Sequence, residues 1–379
     1  MKILIVITKS EIGGAQIFSL NLAKQLKALG EEVVVAGGEG EFLPQELAKE
    51  NIDFYRFKQL KRGFSLVNNF RFLKELKDYV RTNNFSVVHL NSTNALLGVF
   101  PLSCLKKKGL KVKTVFSVHG LSLIDGGHRA LGIIKFCYLL FFKLAFKKLD
   151  EIVFVSRKNF EFAKASGLLN SGIFKEASLI YNGLDLPADY FLEKETARER
   201  LKLSFPEATF IYGSIGRLAY PKNYEFLISS YKDLREKIPK AKLIIIGEGP
   251  ERGKYQDMIK AYGLSDDIIL LGEIKDASMY LKAFDLFVLP SVFEGLSLSL
   301  IEAKLAKVPS LASLVGGNEE IISAANCFKL NDAGDFIAKA IRVFQGANLE
   351  LQVDSGNGEE ESFSAKEMAE KYLQLYLRQ

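Results

Sequence analysis

The stretch from Asp285 to Gly317, DLFVLPSVFEGLSLSLIEAKLAKVPSLASLVGG, constrains the fold of this 379-residue chain more than any other. Its apolar run Leu286 to Leu289 reads as a buried strand, which Pro290 ends because proline has no N–H to give to a ladder. A loop carrying Glu294 and Gly295 follows, and Leu296, Leu298, Leu300, Ile301 and Leu305 then continue with helical spacing until Pro309 opens the next strand. Strand, loop, helix and strand make a parallel unit. Such units take ligands at the carboxyl ends of their strands, where the first turn of the following helix offers unpaired N–H groups. Leu296 and Ser297 therefore stand where an anion such as a diphosphate would sit. Glu294 lies at the mouth of that crevice and Glu302 about two turns further on, so the two carboxylates can contact one elongated ligand at two points.

The rest of the chain repeats this alternation. Residues 2 to 8, KILIVIT, form the continuous apolar run that a strand covered on both faces needs. Gly13 and Gly14 follow in a loop that reads either as a plain tight turn or as a close backbone approach to a phosphate, ahead of a helix from Ala15 to Leu29 capped by Gly30. Strand patterns at EVVVAG, DFYRF, SVVHLN, KVKTVFSVHG and EIVFVS are separated by helical patterns at Leu66 to Val80, Ala95 to Lys107, Arg129 to Lys148 and Arg157 to Ala165. His119 falls at the carboxyl end of one strand, His89 at the end of the strand before it, and His128 in a loop. After a less periodic stretch with Pro187 and Pro206, TFIYGSIGRLAYPKN delivers Arg217 and Lys222 into a loop ahead of a helix. These two cations are either surface charges or the partners of a diphosphate. KLIIIGEGPER, with Gly247, and IILLGEI, ending at Ile274, are two further strands with turns at helix starts. Helices near Glu319 to Ala324 and Asp335 to Phe344, a polar linker from Gln345 to Ser362 and a helix from Ser364 to Leu377 complete the chain. The alternation predicts doubly wound parallel α/β sheets, and the length predicts two domains.

Composition narrows the partners. Residues 1 to 190 hold 27 Lys and Arg against 17 Asp and Glu, a net +10, whereas the remainder is net −4. The first half thus either faces something anionic or carries a generic solvated surface. No nucleic-acid motif or aromatic-interleaved basic tract is present, so an anionic membrane surface is the expected anionic partner and nucleic acid is not. KFCYLLFFKLAFKK, residues 135 to 148, reads as a core helix or as an interfacial helix whose lysines meet headgroups. The tract Lys106, Lys107, Lys108, Lys111 and Lys113 is a second basic candidate. No run reaches the roughly 18 apolar residues of a membrane span. The N-terminus reads as a first strand rather than a leader, and Cys104, Cys137 and Cys327, far apart and without a CxxC pair, are expected to be reduced and buried. These features place the chain in the cytoplasm or at the inner face of a membrane. Neither the cysteines nor the three histidines have metal-ligand spacing.

The spacing Glu294, seven residues, Glu302, followed by Pro309 and VGGNEE, resembles the signature of retaining glycosyltransferase family 4. The likeness extends to YNGLD at 181 to 185, the Gly-Arg-Leu and Lys-Asn around Arg217 and Lys222, and the Gly-x-Gly-Pro turn at Gly247, in the family's order. It implies two Rossmann-like domains facing a cleft: an acceptor-binding domain over 1–186, a donor-binding domain over 187–362, and a last helix, 363–379, packed back onto the first. By the same resemblance Gly13, Gly14, Arg217, Lys222, Gly247, Gly295, Leu296 and Ser297 line the donor diphosphate, backbone near Ile274 holds the base, Glu302 the ribose hydroxyls, and Glu294 and His119 the donor sugar. Gln16 stands where many members carry glutamate, so no acceptor-facing role is carried over to it. The implied activity is metal-independent, retaining transfer from a nucleoside-diphosphate sugar, the donor being a substrate rather than a cofactor. The acceptor is a glycan or lipid-linked hydroxyl in polysaccharide or lipopolysaccharide synthesis. The alternatives are an epimerase on the same fold and a non-catalytic sugar-nucleotide-binding protein.

Overall fold

A computed structural model describes residues 1–61, 63, 65–121, 132–169, 177–187, 189–206, 208–347 and 363–378. The chain divides into two compact units, residues 1–185 with 362–379, and residues 186–361. The expected start of a helix at Arg129, the loop residue His128 and residues 348–362 of the expected linker lie outside the described residues.

In the first unit the apolar runs become strands β1 (Lys2–Ile7), β2 (Glu32–Gly37), β3 (Asp53–Arg56), β4 (Val87–Leu90), β5 (Lys113–Val118), β6 (Glu151–Phe154) and β7 (Ala177–Leu179). They form one sheet in the order β3-β2-β1-β4-β5-β6-β7, every pairing parallel. Side chains alternate across a strand, so β1 serves two cores. Leu4 and Val6 join Phe72, Val99 and Phe142 on one face, while Ile3, Ile5 and Ile7 join Phe18, Leu22 and Tyr372 on the other. Helices Leu66–Asn83, Val99–Lys107 and Gly132–Phe146 cover the first face, and Gly14–Ala28 and Ala365–Leu377 the second.

The second unit repeats the winding with β8 (Phe210–Ile215), β9 (Ala241–Ile246), β10 (Ile268–Gly272), β11 (Leu286–Leu289), β12 (Ser310–Ser313) and β13 (Cys327–Phe328). Its order is β10-β9-β8-β11-β12-β13, again parallel. Each sheet therefore reverses its winding once, between β1 and β4 and between β8 and β11. Each switch point is the place where a crevice opens at the carboxyl ends of its own sheet's strands.

Several local expectations are corrected. The pattern from Ala95 to Lys107 is two helices, Thr93–Leu96 and Val99–Lys107, because Pro101 can sit in a first helical turn but has no N–H for an interior one. Instead of a helix from Glu319 to Ala324 there are 3₁₀ turns at Asn318–Glu320 and Ala324–Asn326, where Asn318 donates to Ser313 O at 2.9 Å and Ser323 caps Ala325 N. The aperiodic stretch after Pro187 holds the helix Lys194–Arg200, fastened by ion pairs from Lys194 and Arg198 to Asp285, which also accepts from Ile211 N at 2.7 Å. Cys327 is buried, but Cys104 and Cys137 are exposed, since each lies on the outer side of its helix. Within the basic tract Lys106 is held by Asp150 and Lys113 by Glu151, so those two serve the fold rather than an external partner.

Candidate active site

The switch point of the second unit assembles from two loops. β8 runs through Gly216 to Arg217 and Lys222, and β11 through Pro290 to Glu294. Val292 N donates to Pro221 O at 2.8 Å and ties the loops together. Lys222 Nζ donates to Glu294 Oε1 at 2.8 Å, and the Ser291 hydroxyl donates to the same oxygen at 2.6 Å. The Lys222 and Glu294 side chains are only 20% and 14% exposed. Burial alone would lower the Lys222 pKa, but the adjacent Glu294 carboxylate outweighs it and the net shift is upward. The ammonium is therefore permanently charged at the carboxyl edge of the sheet.

Glycines set how closely the surrounding backbone approaches. Gly316 has φ +53°, and a Cβ there would lie 2.0 Å from Glu294 O. Gly317 N also donates to Gly295 O at 2.8 Å, so the turn after β12 braces the Glu294 loop from below. Gly247, with φ +148°, passes so near Gly216 that a Cβ would lie 1.9 Å from its carbonyl oxygen. Ile274 lies half-buried two residues beyond β10.

Ser297 is buried at the N-terminus of the helix Leu298–Leu305 and makes no capping bond with its side chain, its hydroxyl lying 3.1 Å from that of Ser299. The first turn of that helix has no intrahelical acceptors for its N–H groups. Glu302, one turn in, is only partly exposed. Burial raises its pKa to about 7, opposed by a hydrogen bond from Ser278 and the charge of Lys222. Ser278 Oγ in turn lies 2.9 Å from the Tyr190 hydroxyl. Arg217 is exposed and has no ion-pair partner among the described residues. The unit thus brings Lys222, Glu294 and Glu302 into one electrostatic neighbourhood.

In the first unit Gly13 precedes the helix that Gly14 opens, and Gln16 Nε2 donates to Lys9 O at 2.9 Å, propping the glycine loop. His119 follows β5. Its ring meets the Phe18 ring edge-on at 4.6 Å, and its Nε2 lies 3.4 Å from Asn91 Oδ1. Burial lowers its pKa to about 4 although the residue as a whole is half-buried, so the imidazole is neutral at pH 7. His89 differs. It is fully buried, bridges Tyr376 OH at 2.7 Å and Ser117 Oγ at 2.8 Å, and has a pKa lowered to about 3 by burial and then by His119. Ser117 Oγ contacts Tyr372 OH at 2.7 Å, so this polar chain fastens the last helix to the sheet.

Residues 12–187 match the family described as Glycosyltransferase Family 4, and residues 195–359 match Glycosyl transferases group 1. The two matches follow one another along nearly the whole chain. The chain belongs to the family 4, group 1 glycosyl transferases. An uncharacterised glycosyltransferase of Methanocaldococcus jannaschii is 26% identical over 258 residues, 68% of this glycosyltransferase and 60% of the relative, so the match leaves a good part of that protein unspanned. The UDP-Gal:alpha-D-GlcNAc-diphosphoundecaprenol alpha-1,3-galactosyltransferase of Escherichia coli is 26% identical over 75% of this chain and 73% of its own. Anabaena HepE, solved in complex with UDP, superposes with a TM-score of 0.74 at 17% identity over 99% of both chains, a likeness of fold. The two-sheet architecture is that of the GT-B glycosyltransferases.

The glycosyltransferase carries no group of three or more His, Cys, Asp or Glu arranged to hold a metal ion among its described residues. No described helix is long and apolar enough to cross a membrane. Sequence reasoning missed Ser291, Ser278, Tyr190 and Asn91. A hydroxyl three residues before Glu294 was a usable signal for Ser291. Tyr190 and Ser278 are 88 residues apart, and nothing in the sequence pairs them.

Proposed function

We propose that this glycosyltransferase transfers a hexose from a nucleoside-diphosphate sugar to a hydroxyl of a lipid-linked glycan during polysaccharide synthesis, with retention of anomeric configuration and without a divalent ion. The observation that carries the reading is the Lys222 to Glu294 contact of 2.8 Å at the β8/β11 switch point. Lys222 and Arg217, with the first turn of the helix Leu298–Leu305, neutralise the diphosphate as it gains charge on leaving. Glu294 positions the sugar hydroxyls, Glu302 the ribose, and backbone near Ile274 the base. Gly13, Gly14 and His119 are the groups of the first unit assigned to the donor, and the acceptor is assigned to that unit.

A covalent two-carboxylate route requires a free carboxylate nucleophile about 5 Å from its partner carboxyl. Glu294 is engaged by Lys222 and Ser291, and Glu302 is held toward neutrality near pH 7, so neither suits that part. Same-face displacement fits these residues better. The acceptor oxygen bonds to the anomeric carbon as the bond from that carbon to the phosphate oxygen breaks, and the departing phosphate takes the hydroxyl proton. The UDP complex of HepE supports a uridine diphosphate donor, and the undecaprenyl acceptor in the E. coli relative's name supports a lipid-linked acceptor at a membrane face.

The test is a thermal-shift panel of sugar nucleotides with EDTA present, on wild type and Glu302→Ala. A binding partner that prefers the folded state raises the melting temperature by mass action. One nucleotide sugar should shift the wild type and not the variant, and its label should pass to a lipid-linked acceptor with the anomeric configuration kept. No shift with any nucleotide at millimolar concentration would sink the reading. Conversion of the donor to a new sugar nucleotide without acceptor would favour an epimerase.

A further inference from the structure

Where the chain enters the second unit it runs along the 3₁₀ helix Ala277–Ala283 and is fastened to it at several points. Leu192 N donates to Met279 O at 2.9 Å, Arg198 Nε donates to Ala283 O at 2.9 Å, and Lys282 pairs with Glu193 at 2.7 Å. These ties bring Tyr190 to Ser278, which is buried and hydrogen-bonded to Glu302. Counting hydrogens gives the chain of hydroxyls a direction. A hydroxyl has one hydrogen to donate, and an ionised carboxylate only accepts. Ser278 therefore donates to Glu302, and its oxygen accepts from the Tyr190 hydroxyl 2.9 Å away. Tyr190 keeps its hydrogen, because burial raises its pKa against the contact with Ser278 and the charges of Glu302 and Asp276 raise it further. Lys222, paired with Glu294, is the cation acting on Glu302 from the loop after β8. Without the tyrosine hydroxyl the serine rotor can turn its hydrogen to another acceptor, and the carboxylate loses both its orientation and a donor that favours its charged form.

We propose that Tyr190 and Ser278 are positioning residues for the donor nucleotide: acting through Glu302, they hold its carboxylate toward the ribose and so set how strongly a ribonucleotide is preferred over one lacking the 2′ and 3′ hydroxyls. An ionised carboxylate has about four acceptor sites, so a bond from Ser278 leaves enough to accept from both ribose hydroxyls. Neither Tyr190 nor Ser278 touches the nucleotide in this scheme. The proposal rests on the assignment of Glu302 to the ribose and deepens it, because it makes the strength of that contact depend on a tyrosine 112 positions away in the chain.

The experiment is isothermal titration calorimetry of the full chain with UDP and with 2′,3′-dideoxy-UDP at pH 8, where the Glu302 carboxylate is ionised, on wild type, Tyr190→Phe, Ser278→Ala, Tyr190→Phe/Ser278→Ala and Glu302→Ala. Wild type should bind UDP more tightly than the dideoxy nucleotide by about tenfold or more. Tyr190→Phe should weaken UDP binding roughly three- to tenfold and Ser278→Ala at least as much. The double variant should lose no more than Ser278→Ala alone, because both changes act through one bond. Affinity for dideoxy-UDP should stay within about twofold of wild type in these three variants, which a general loosening of the fold would not allow. Unchanged UDP affinity in Tyr190→Phe, additive losses in the double variant, or equal losses for both nucleotides would overturn the proposal while leaving Glu302 on the ribose. Absence of a wild-type preference for UDP, or a preference that survives in Glu302→Ala, would take Glu302 off the ribose and overturn that assignment and the proposal together.

Discussion

Glu302→Gln should stabilise the second unit at pH 8 and leave it unchanged at pH 4. Burial raises the Glu302 pKa from 4.5 to about 7. Below pH 4.5 the side chain is protonated in both folded and unfolded chains, and its titration contributes nothing. Between 4.5 and 7 the folded protein holds a proton that the unfolded chain has released, so stability falls as pH rises, and above 7 the loss is complete. A shift of this size corresponds to about 3 kcal/mol, and the partial exposure of the side chain discounts it to about 1.5–3 kcal/mol. Glutamine keeps the shape and an acceptor for Ser278 but never ionises. For a unit of this length the gain is roughly 3–10 °C in melting temperature. Melting both proteins by circular dichroism from pH 4 to 8 reads the difference directly, and because both carry the same His89 and His119 the difference isolates Glu302. A constant offset across the range, or a wild type more stable than the variant at pH 8, would refute the reasoning.

Lys222→Met removes the ammonium while keeping most of the stem, and should lower donor turnover roughly 100- to 1,000-fold with nucleotide affinity falling less; single-turnover kinetics separates the two, and turnover within twofold of wild type would remove Lys222 from the site. Gly316→Ala places a methyl group 2.0 Å from Glu294 O in a left-handed backbone, so the Glu294 loop must move. Activity should drop at least tenfold with the fold intact, checked by circular dichroism beside the transfer assay. Tyr372→Phe deletes the hydroxyl 2.7 Å from Ser117 and should cost about 1 kcal/mol. It should also speed proteolysis of the last helix without changing donor binding, and equal cleavage rates in variant and wild type would count against the fastening role of that chain.

The two sheets were legible because parallel strands covered on both faces must be apolar along nearly their whole length, as β11 is and as β1 and β9 are beyond Lys2 and Lys242 at their starts. The loops after β8 and β11 were legible too, because Pro290, the glycines and the cations mark strand ends; Lys222 and Glu294 fall in those loops, and Glu302 one turn into the helix that follows the second. Less was readable where burial rather than pattern decides. All three cysteines read as interior residues, yet Cys104 and Cys137 face outward, and the apolar run at 135 to 148 read first as a core helix, yet the helix Gly132–Phe146 leaves Ile133, Phe136, Leu140 and Leu144 exposed.

Sequence alone determined the winding of the chain and the register of its site loops, since strand period, helix period and loop breakers are local properties of neighbouring residues. Only the tertiary structure decided that Lys222 and Glu294 form an ion pair across 72 positions, that Ser278 and Tyr190 stand beside a Glu302 pushed toward neutrality, and that Tyr372 and Tyr376 close a polar chain onto His89. The reason is physical: pKa shifts, ion pairs and unpartnered faces depend on which distant groups share a low-dielectric neighbourhood, and that is fixed only when the sheets have folded.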